Sequence, residues 1–247
     1  MAEPTFTELF ENVFRKNRLE QYLEPEKKQL FAKFTGLFLQ ASSEQNLTAI
    51  RDLPGIVSKH YADCLLGAHL FPANASVLDV GCGGGFPTLP LAIARPDLQI
   101  TALDSTQKKI SFVEKAVKEL GLQNVRAVCA RVEEDRCRPF RESFDVVTAR
   151  AVANLRVLSE LTLPFVKIGG LFISMKGSQG QEELEEAKKA IAKLGGKADQ
   201  IVQKELIYVG ESGTESREAR MWIVIRKVAH TPEKYPRSYA AIKKGFT

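Results

Sequence analysis

The sequence lacks a long hydrophobic run. Its longest apolar stretches, such as residues 89–94, fall far short of the roughly 20 residues that a membrane helix needs. The opening stretch MAEPTFTELFENVF has no basic start followed by an apolar core, so no signal peptide is expected. Cysteine is scarce: Cys64, Cys82, Cys129 and Cys137 form no CxxC pair. The histidines His60, His69 and His230 are too scattered for a metal triad. Both scarcities argue against a zinc site, so no metal is expected and a reducing cytoplasm is the natural compartment. The sequon Asn46-Leu47-Thr48 then carries no glycan. Internal repeats are also missing.

Strong charge of one sign is lacking too. The 247 residues carry 35 Lys and Arg against 30 Asp and Glu, a net charge of +5. With 44% hydrophobic and 26% charged residues, the chain reads as globular rather than disordered or low-complexity. Residues 1–225 hold 29 basic and 29 acidic side chains, which cancel. The excess sits in the last 22 residues, where Arg226, Lys227, Lys234, Arg237, Lys243 and Lys244 face a single acid, Glu233. A basic tail of this kind suits a nucleic-acid backbone.

What is present is an alternation of periods. Helices are expected over 3–23, 25–41 and 55–71, the second opening at Pro25 and the third ended by Pro72. Short apolar strands follow at 77–81, 99–104, 125–130, 144–149 and 170–176. Helices at 86–95, 106–120 and 154–166 separate them, and Gly121 stops the second of these. Residues 181–194 make a helix with acids early and lysines late, as the helix dipole favours. Two more strands, 204–209 and 220–228, flank a polar loop and should pair as a hairpin. The pattern predicts an α/β fold with a mainly parallel seven-stranded sheet ending in an antiparallel hairpin. The chain divides into a helical segment 1–74, an α/β domain 75–229 and a basic tail 230–247.

The sharpest local signal is Asp79-Val80-Gly81-Cys82-Gly83-Gly84-Gly85-Phe86-Pro87, between a strand and a helix. Glycines there let backbone N–H groups approach a ligand. Asp104 ends the next strand, where a ribose-binding acid is expected. A dinucleotide loop would follow G-x-G-x-x-G, but Phe86 occupies the third glycine position. S-adenosylmethionine fits better: Asp79 would face its cationic end, directly or through water, and Asp104 its ribose hydroxyls. Glu133, after the third strand, is either an acceptor for the adenine amino group or a solvated surface acid.

The end of the fourth strand, Thr148-Ala149-Arg150-Ala151, should face the transferred methyl group. It has no Asn/Asp-Pro-Pro-aromatic segment, as exocyclic amine methylation usually needs, and no Pro-Cys nucleophile for C5 methylation. A ring nitrogen such as guanine N7 already presents a lone pair, so its methylation needs positioning and no general base. Arg150 then either grips a guanine edge or phosphate, or forms a structural salt bridge.

These residues resemble the bacterial 16S rRNA guanine-N7 methyltransferases, the RsmG or glucose-inhibited division protein B family. The similarity spans residues 46–237 and includes Asn46-Leu47-Thr48, Arg51-Asp52, His60-Tyr61-Ala62-Asp63, LDVGCGGGFP, LDSTQKKISFVE, RVEE, TARAVANL and the MKG at 175–177. The resemblance implies a class I, Rossmann-like S-adenosylmethionine-dependent fold and methylation of one guanine in a decoding-region loop of 16S rRNA. The cofactor contacts that the resemblance implies fall on Gly81, Phe86, Asp104, Ser105, Thr106, Val132, Glu133 and Arg150, and the loop itself adds Asp79, Gly83 and Gly85 as expected contacts. RNA contacts are expected at Arg131, Lys176, Lys234 and Arg237, with 16S rRNA or a small-subunit particle as partner and the chain a monomer. A small-molecule methyltransferase on the same fold is the alternative. Three departures stand out: Cys64 for the usual Ser, Thr88 for the Gly after Phe-Pro, and an atypical sequence beyond Arg237.

Overall fold

In a computed structural model, residues 5–45, 47–48, 50, 52–150, 152–210 and 214–245 are described. Asn46, Arg51 and Ala151, named above, lie outside these residues. Five strands run parallel: β1 (Ser76–Val80), β2 (Gln99–Asp104), β3 (Val125–Cys129), β4 (Phe144–Arg150) and β5 (Val166–Lys176). β6 (Gly196–Val209) and β7 (Glu215–Lys227) pair antiparallel, and β7 also pairs antiparallel with β5. The order is β3-β2-β1-β4-β5-β7-β6, so the chain reverses direction across the sheet between β1 and β4. That switch point is where an open α/β sheet leaves a crevice.

Successive side chains alternate across the sheet, and both faces are covered, which is why the strands read as unbroken apolar runs. Val77, Val146 and Val224 join one apolar layer; Leu78, Val147 and Ile223 join the other. The first layer is made with α1 (Phe6–Lys16), α2 (Pro25–Gln45), α4 (Thr88–Ala94) and α5 (Gln107–Leu120). Between α2 and β1, a continuous helix α3 is built from Leu53–Gly55, a π-helical stretch Ile56–Ala62 and Asp63–Leu65. The second layer holds α6 (Leu155–Thr162), α7 (Gly180–Lys193) and, from the tail, Tyr235 together with Ile242, which lies on α8 (Tyr239–Lys244).

The N-terminal helices are part of the core. Phe10, Phe14, Phe31, Phe34 and Phe38 are all fully buried. Their rings pack onward to Tyr61 and Phe86, with centroids 5.0 Å apart for both the tilted Phe31–Tyr61 pair and the edge-on Phe38–Phe86 pair. Truncating one such ring to Ala typically costs about 3–5 kcal/mol, so the helices and the glycine loop stand or fall together.

Several boundaries differ from the sequence reading, and three of the differences have a tertiary reason. The first helix stops at Lys16 because the Asn17 amide pairs with the backbone of Ile207, at 2.9 and 2.8 Å, on the edge strand β6. The second extends to Gln45. The third ends at Leu65, where Gly67 passes the indole of Trp222 so closely that a Cβ would lie 2.2 Å from Nε1. The hairpin strands are far longer than their apolar segments, because backbone pairing continues through polar residues exposed on one edge.

The tail is packed rather than free. The carboxylate of Glu160, fully buried on α6, accepts from Arg237 Nε at 2.8 Å and Nη2 at 2.7 Å. Lys227, also fully buried, donates to the Leu163 carbonyl at 2.7 Å and lies 3.2 Å from Glu142. Arg226 pairs with Asp199 at 2.6 Å. Half of the six cations in the last 22 residues are therefore committed to intramolecular partners.

Candidate functional site

A cavity of about 640 Å³ opens at the carboxyl ends of β1, β2 and β4. The glycine loop forms one wall. Gly81 has φ +77°, and a Cβ there would lie 2.6 Å from a methyl of Val152, so glycine is required. Gly83 has φ +55° and open space around it. The loop is fixed from behind: Gly81 and Cys82 donate to the Leu103 carbonyl at 2.7 and 3.0 Å.

Asp104 ties the loop to the next wall. Its Oδ2 accepts from Gly83 N at 3.0 Å and its Oδ1 from Thr106 N at 2.9 Å. Each carboxylate oxygen keeps a further lone pair, and Asp104, Ser105 and Thr106 all border the cavity. Arg131, Val132 and Glu133 close the far end.

Arg150 closes the near end. Its Nη1 donates to the Lys59 carbonyl at 3.1 Å and lies 3.2 Å from Asp63 Oδ2; its Nη2 meets His60 Nδ1 at 3.1 Å. A guanidinium only donates, so Nδ1 accepts and the His60 proton sits on Nε2, 3.0 Å from Thr48 Oγ1. Burial first, and then Arg150, push the His60 pKa down to about 3, so the ring is neutral. It stacks on Phe86 at 4.5 Å between centroids, while Arg150 lies 5.6 Å from the same ring. Of the two roles left open for Arg150, the salt bridge is present, and the guanidinium also borders the cavity.

Gly81, Gly83, Phe86, Asp104, Ser105, Thr106, Val132, Glu133 and Arg150 thus meet around one space. Asp79 and Gly85 do not border it. Asp79 is buried beneath the loop; its Oδ2 accepts from the Thr88 hydroxyl at 2.6 Å and its Oδ1 has no partner. Burial raises its pKa to about 7 against the opposing hydrogen bond from Thr88. Gly85 turns the chain into α4, where a Cβ would lie 2.6 Å from Leu89.

The expected RNA contacts separate. Arg131 and Lys234 are exposed. Lys176 is 9% exposed, with Nζ 2.7 Å from both the Ala153 carbonyl and Glu183, and Arg237 holds Glu160. The Lys176 charge on β5 and the Arg237 charge in the tail are thus both paired within the fold. Leu47, Thr48, His60 and Tyr239 also line the cavity and were not singled out as ligands in the sequence. They come from opposite ends of the chain, so no local spacing marks them. Among the described residues no group of metal-ligating side chains forms, and no helix is long and apolar enough to cross a membrane.

The model of one protein family, rRNA small subunit methyltransferase G, matches residues 27–207. A ribosomal RNA small subunit methyltransferase G from Geobacillus sp. (strain WCH70) is 45% identical over 210 residues, covering 84% of this chain and 85% of that relative. Its counterpart from Clostridium perfringens is 40% identical, covering 89% of this chain and 90% of its own. Among solved structures, a precorrin-6y C5,15-methyltransferase from Geobacter metallireducens superposes with a TM-score of 0.51 at 12% identity. It covers 75% of this chain and 92% of that one. M. jannaschii TYW2, solved in complex with AdoMet, gives a TM-score of 0.52 at 17% identity over 67% of this chain and 75% of its own. At such identities these two likenesses speak for the fold.

Proposed function

The chain belongs to the rRNA small subunit methyltransferase G family, and on that footing we propose that it transfers a methyl group from S-adenosylmethionine to N7 of one guanine in 16S rRNA. The observation carrying this reading is the convergence of the glycine loop, Asp104, Val132–Glu133 and Arg150 on one 640 Å³ cavity at the sheet's switch point. The cavity fits the cofactor. Gly81 and Gly83 leave the backbone uncovered, and Asp104 offers two oxygens to ribose hydroxyls. Val132 and Glu133 would flank the adenine, and the orphaned Asp79 Oδ1, buried beneath the loop, would serve an ammonium only through water. The bound cofactor supplies an electrophilic methyl group on a sulfonium. Phe86 and Arg150 orient the near end of the cavity, and the neutral His60, hydrogen-bonded at both ring nitrogens, holds Arg150 in place.

No residue is needed to remove a proton, because N7 of guanine carries a free lone pair. Positioning alone accounts for the chemistry asked of this site. The small-molecule alternative calls for an enclosed apolar acceptor pocket; the space beside Arg150 has apolar side chains but is also lined by the charged Lys59, Asp63, Lys176, Glu183 and Arg220.

The test is transfer of labelled methyl from S-adenosylmethionine to small-subunit particles lacking the modification, with chemical cleavage at N7-methylguanine to locate the product. RNA left unmodified by folded, cofactor-bound protein overturns the reading. RNA binding should weaken steeply with salt, as phosphate contacts release counterions.

A further inference from the structure

The C-terminal tail reaches the cofactor cavity. Among the described residues, Tyr239 at the start of α8 is the one that lines it from beyond α6. Its side chain is half-buried and packs on the second apolar layer. The same layer gives the cavity Val80, Leu103, Ala130, Val132 and Leu161. Tyr239 therefore extends an apolar wall, while Asp104, Ser105 and Thr106 make a polar one.

The ring is fixed along the chain on either side. Just before it, Arg237 donates to the buried Glu160 carboxylate from its backbone N at 2.9 Å and from Nε at 2.8 Å. Arg141 Nη1 donates to the Tyr235 carbonyl at 2.7 Å. Just after it, Ile242 is fully buried, and its carbonyl accepts from Arg156 Nη1 at 3.2 Å. Arg237 Nη1 also reaches forward to the Gly245 carbonyl at 3.1 Å, which braces α8 from outside. Lys243 Nζ lies 5.0 Å from the centroid of the Tyr239 ring. Arg156, Glu160 and Leu161 are all on α6, so one helix both anchors the tail and lines the cavity.

We propose that Tyr239 contacts the adenine of bound S-adenosylmethionine, so that the tail completes the cofactor site; the inference rests on the methyltransferase reading above. Adenine is the flat, weakly polar part of this cofactor. On that reading the ribose hydroxyls belong to Asp104 and the charged methionine end to the glycine loop. The apolar wall that holds Ala130 and Val132, beside Glu133, is what remains for the base. An aromatic ring on that wall adds contact area suited to a π-system, at little cost in side-chain freedom because the tail already holds it. Tyr239 falls in the stretch beyond Arg237 that departs from the family pattern, so the contact belongs to this chain's own tail.

Calorimetric titration of the full chain tests the assignment. Tyr239→Ala should weaken S-adenosylmethionine binding about 10-fold, the scale of one base–aromatic contact. Tyr239→Phe, which keeps the ring, should restore most of the affinity. 5′-Methylthioadenosine keeps the adenine and lacks the methionine charges, so its binding should fall by the same factor in Tyr239→Ala. Wild-type affinity in Tyr239→Ala overturns the proposal, as does a loss seen with S-adenosylmethionine and not with 5′-methylthioadenosine. A measurement on the wild-type chain separates contact from a general loosening of the tail. An 8-azidoadenine analogue of 5′-methylthioadenosine should photo-crosslink to the peptide that contains Tyr239. Crosslinks that spare this peptide overturn the assignment. A wild-type chain that binds no S-adenosylmethionine overturns the broader reading instead, and this inference with it.

Discussion

The Thr88 hydroxyl donates a 2.6 Å hydrogen bond to the buried carboxylate of Asp79, and the other oxygen of that carboxylate has no partner. Thr88 stands where the family resemblance leads one to expect glycine. A hydroxyl here favours the ionised form of Asp79 against a burial that raises its pKa to about 7.

Thr88→Ala should therefore push the Asp79 pKa higher still. At neutral pH fewer molecules then carry the charge that suits a cationic cofactor end. Calorimetric titration should show S-adenosylmethionine binding weakened, by up to about 10-fold for a shift of one unit. The deficit should shrink as pH rises. A deficit that is the same at every pH would show that Thr88 acts through packing.

Asp79 also links stability to pH. Folded, it holds its proton to about pH 7, whereas an ordinary aspartate releases its proton near pH 3.8. Between those values the folded state binds more protons than the unfolded state. The contribution of this group is thus fully present below about pH 4 and is lost as pH rises toward about 7. Asp79→Asn removes the titration, so the Tm of the variant relative to wild type should climb between those pH values and then level off. A difference in Tm that does not vary with pH would contradict this account.

The two positive-φ glycines of the loop should respond unequally. Gly81→Ala adds a methyl 2.6 Å from Val152 to an already unfavourable left-handed conformation. Gly83→Ala carries the conformational cost of about 1–2 kcal/mol without a collision. Thermal melts should rank Gly81→Ala clearly below Gly83→Ala, and equal losses would remove the Val152 contact from the explanation.

Truncation after residue 229 should lower stability. It removes Tyr235 and Ile242 from the second apolar layer and leaves Glu160 buried without Arg237. Breaking a buried ion pair from one side typically costs about 3–5 kcal/mol. Arg237→Ala alone should show much of the loss, and Arg237→Ala combined with Glu160→Leu should recover part of it. Wild-type melting of the truncated chain would return the tail to a purely external role.

The strands and their order of appearance were legible because each is a short apolar run covered on both faces, and Gly121, at φ +67°, ends α5 where its sequence predicts. Asp104 was legible from its spacing after the glycine loop, and it borders the cavity. Asp79 was legible as an acid near the loop but not as a buried one, because its seclusion depends on Thr88 and the sheet above it. The length of β6 was hidden because its polar residues carry no period, while backbone pairing with β7 needs none.

By itself the sequence determined the alternation of strand and helix, the glycine loop, the acid at the end of β2 and the family. These depend on residues close together in the chain, where backbone sterics and apolar period act directly. Only the tertiary structure decided where the charges go. The basic excess that sets the tail apart in the sequence is spent partly inside the fold, on Glu160, Glu142 and Asp199. The same holds for Arg150, whose partners Lys59, His60 and Asp63 lie some 90 positions earlier. Ion pairs and cavity walls depend on distance in space, and the burial that gives them their strength exists only once the layers have packed.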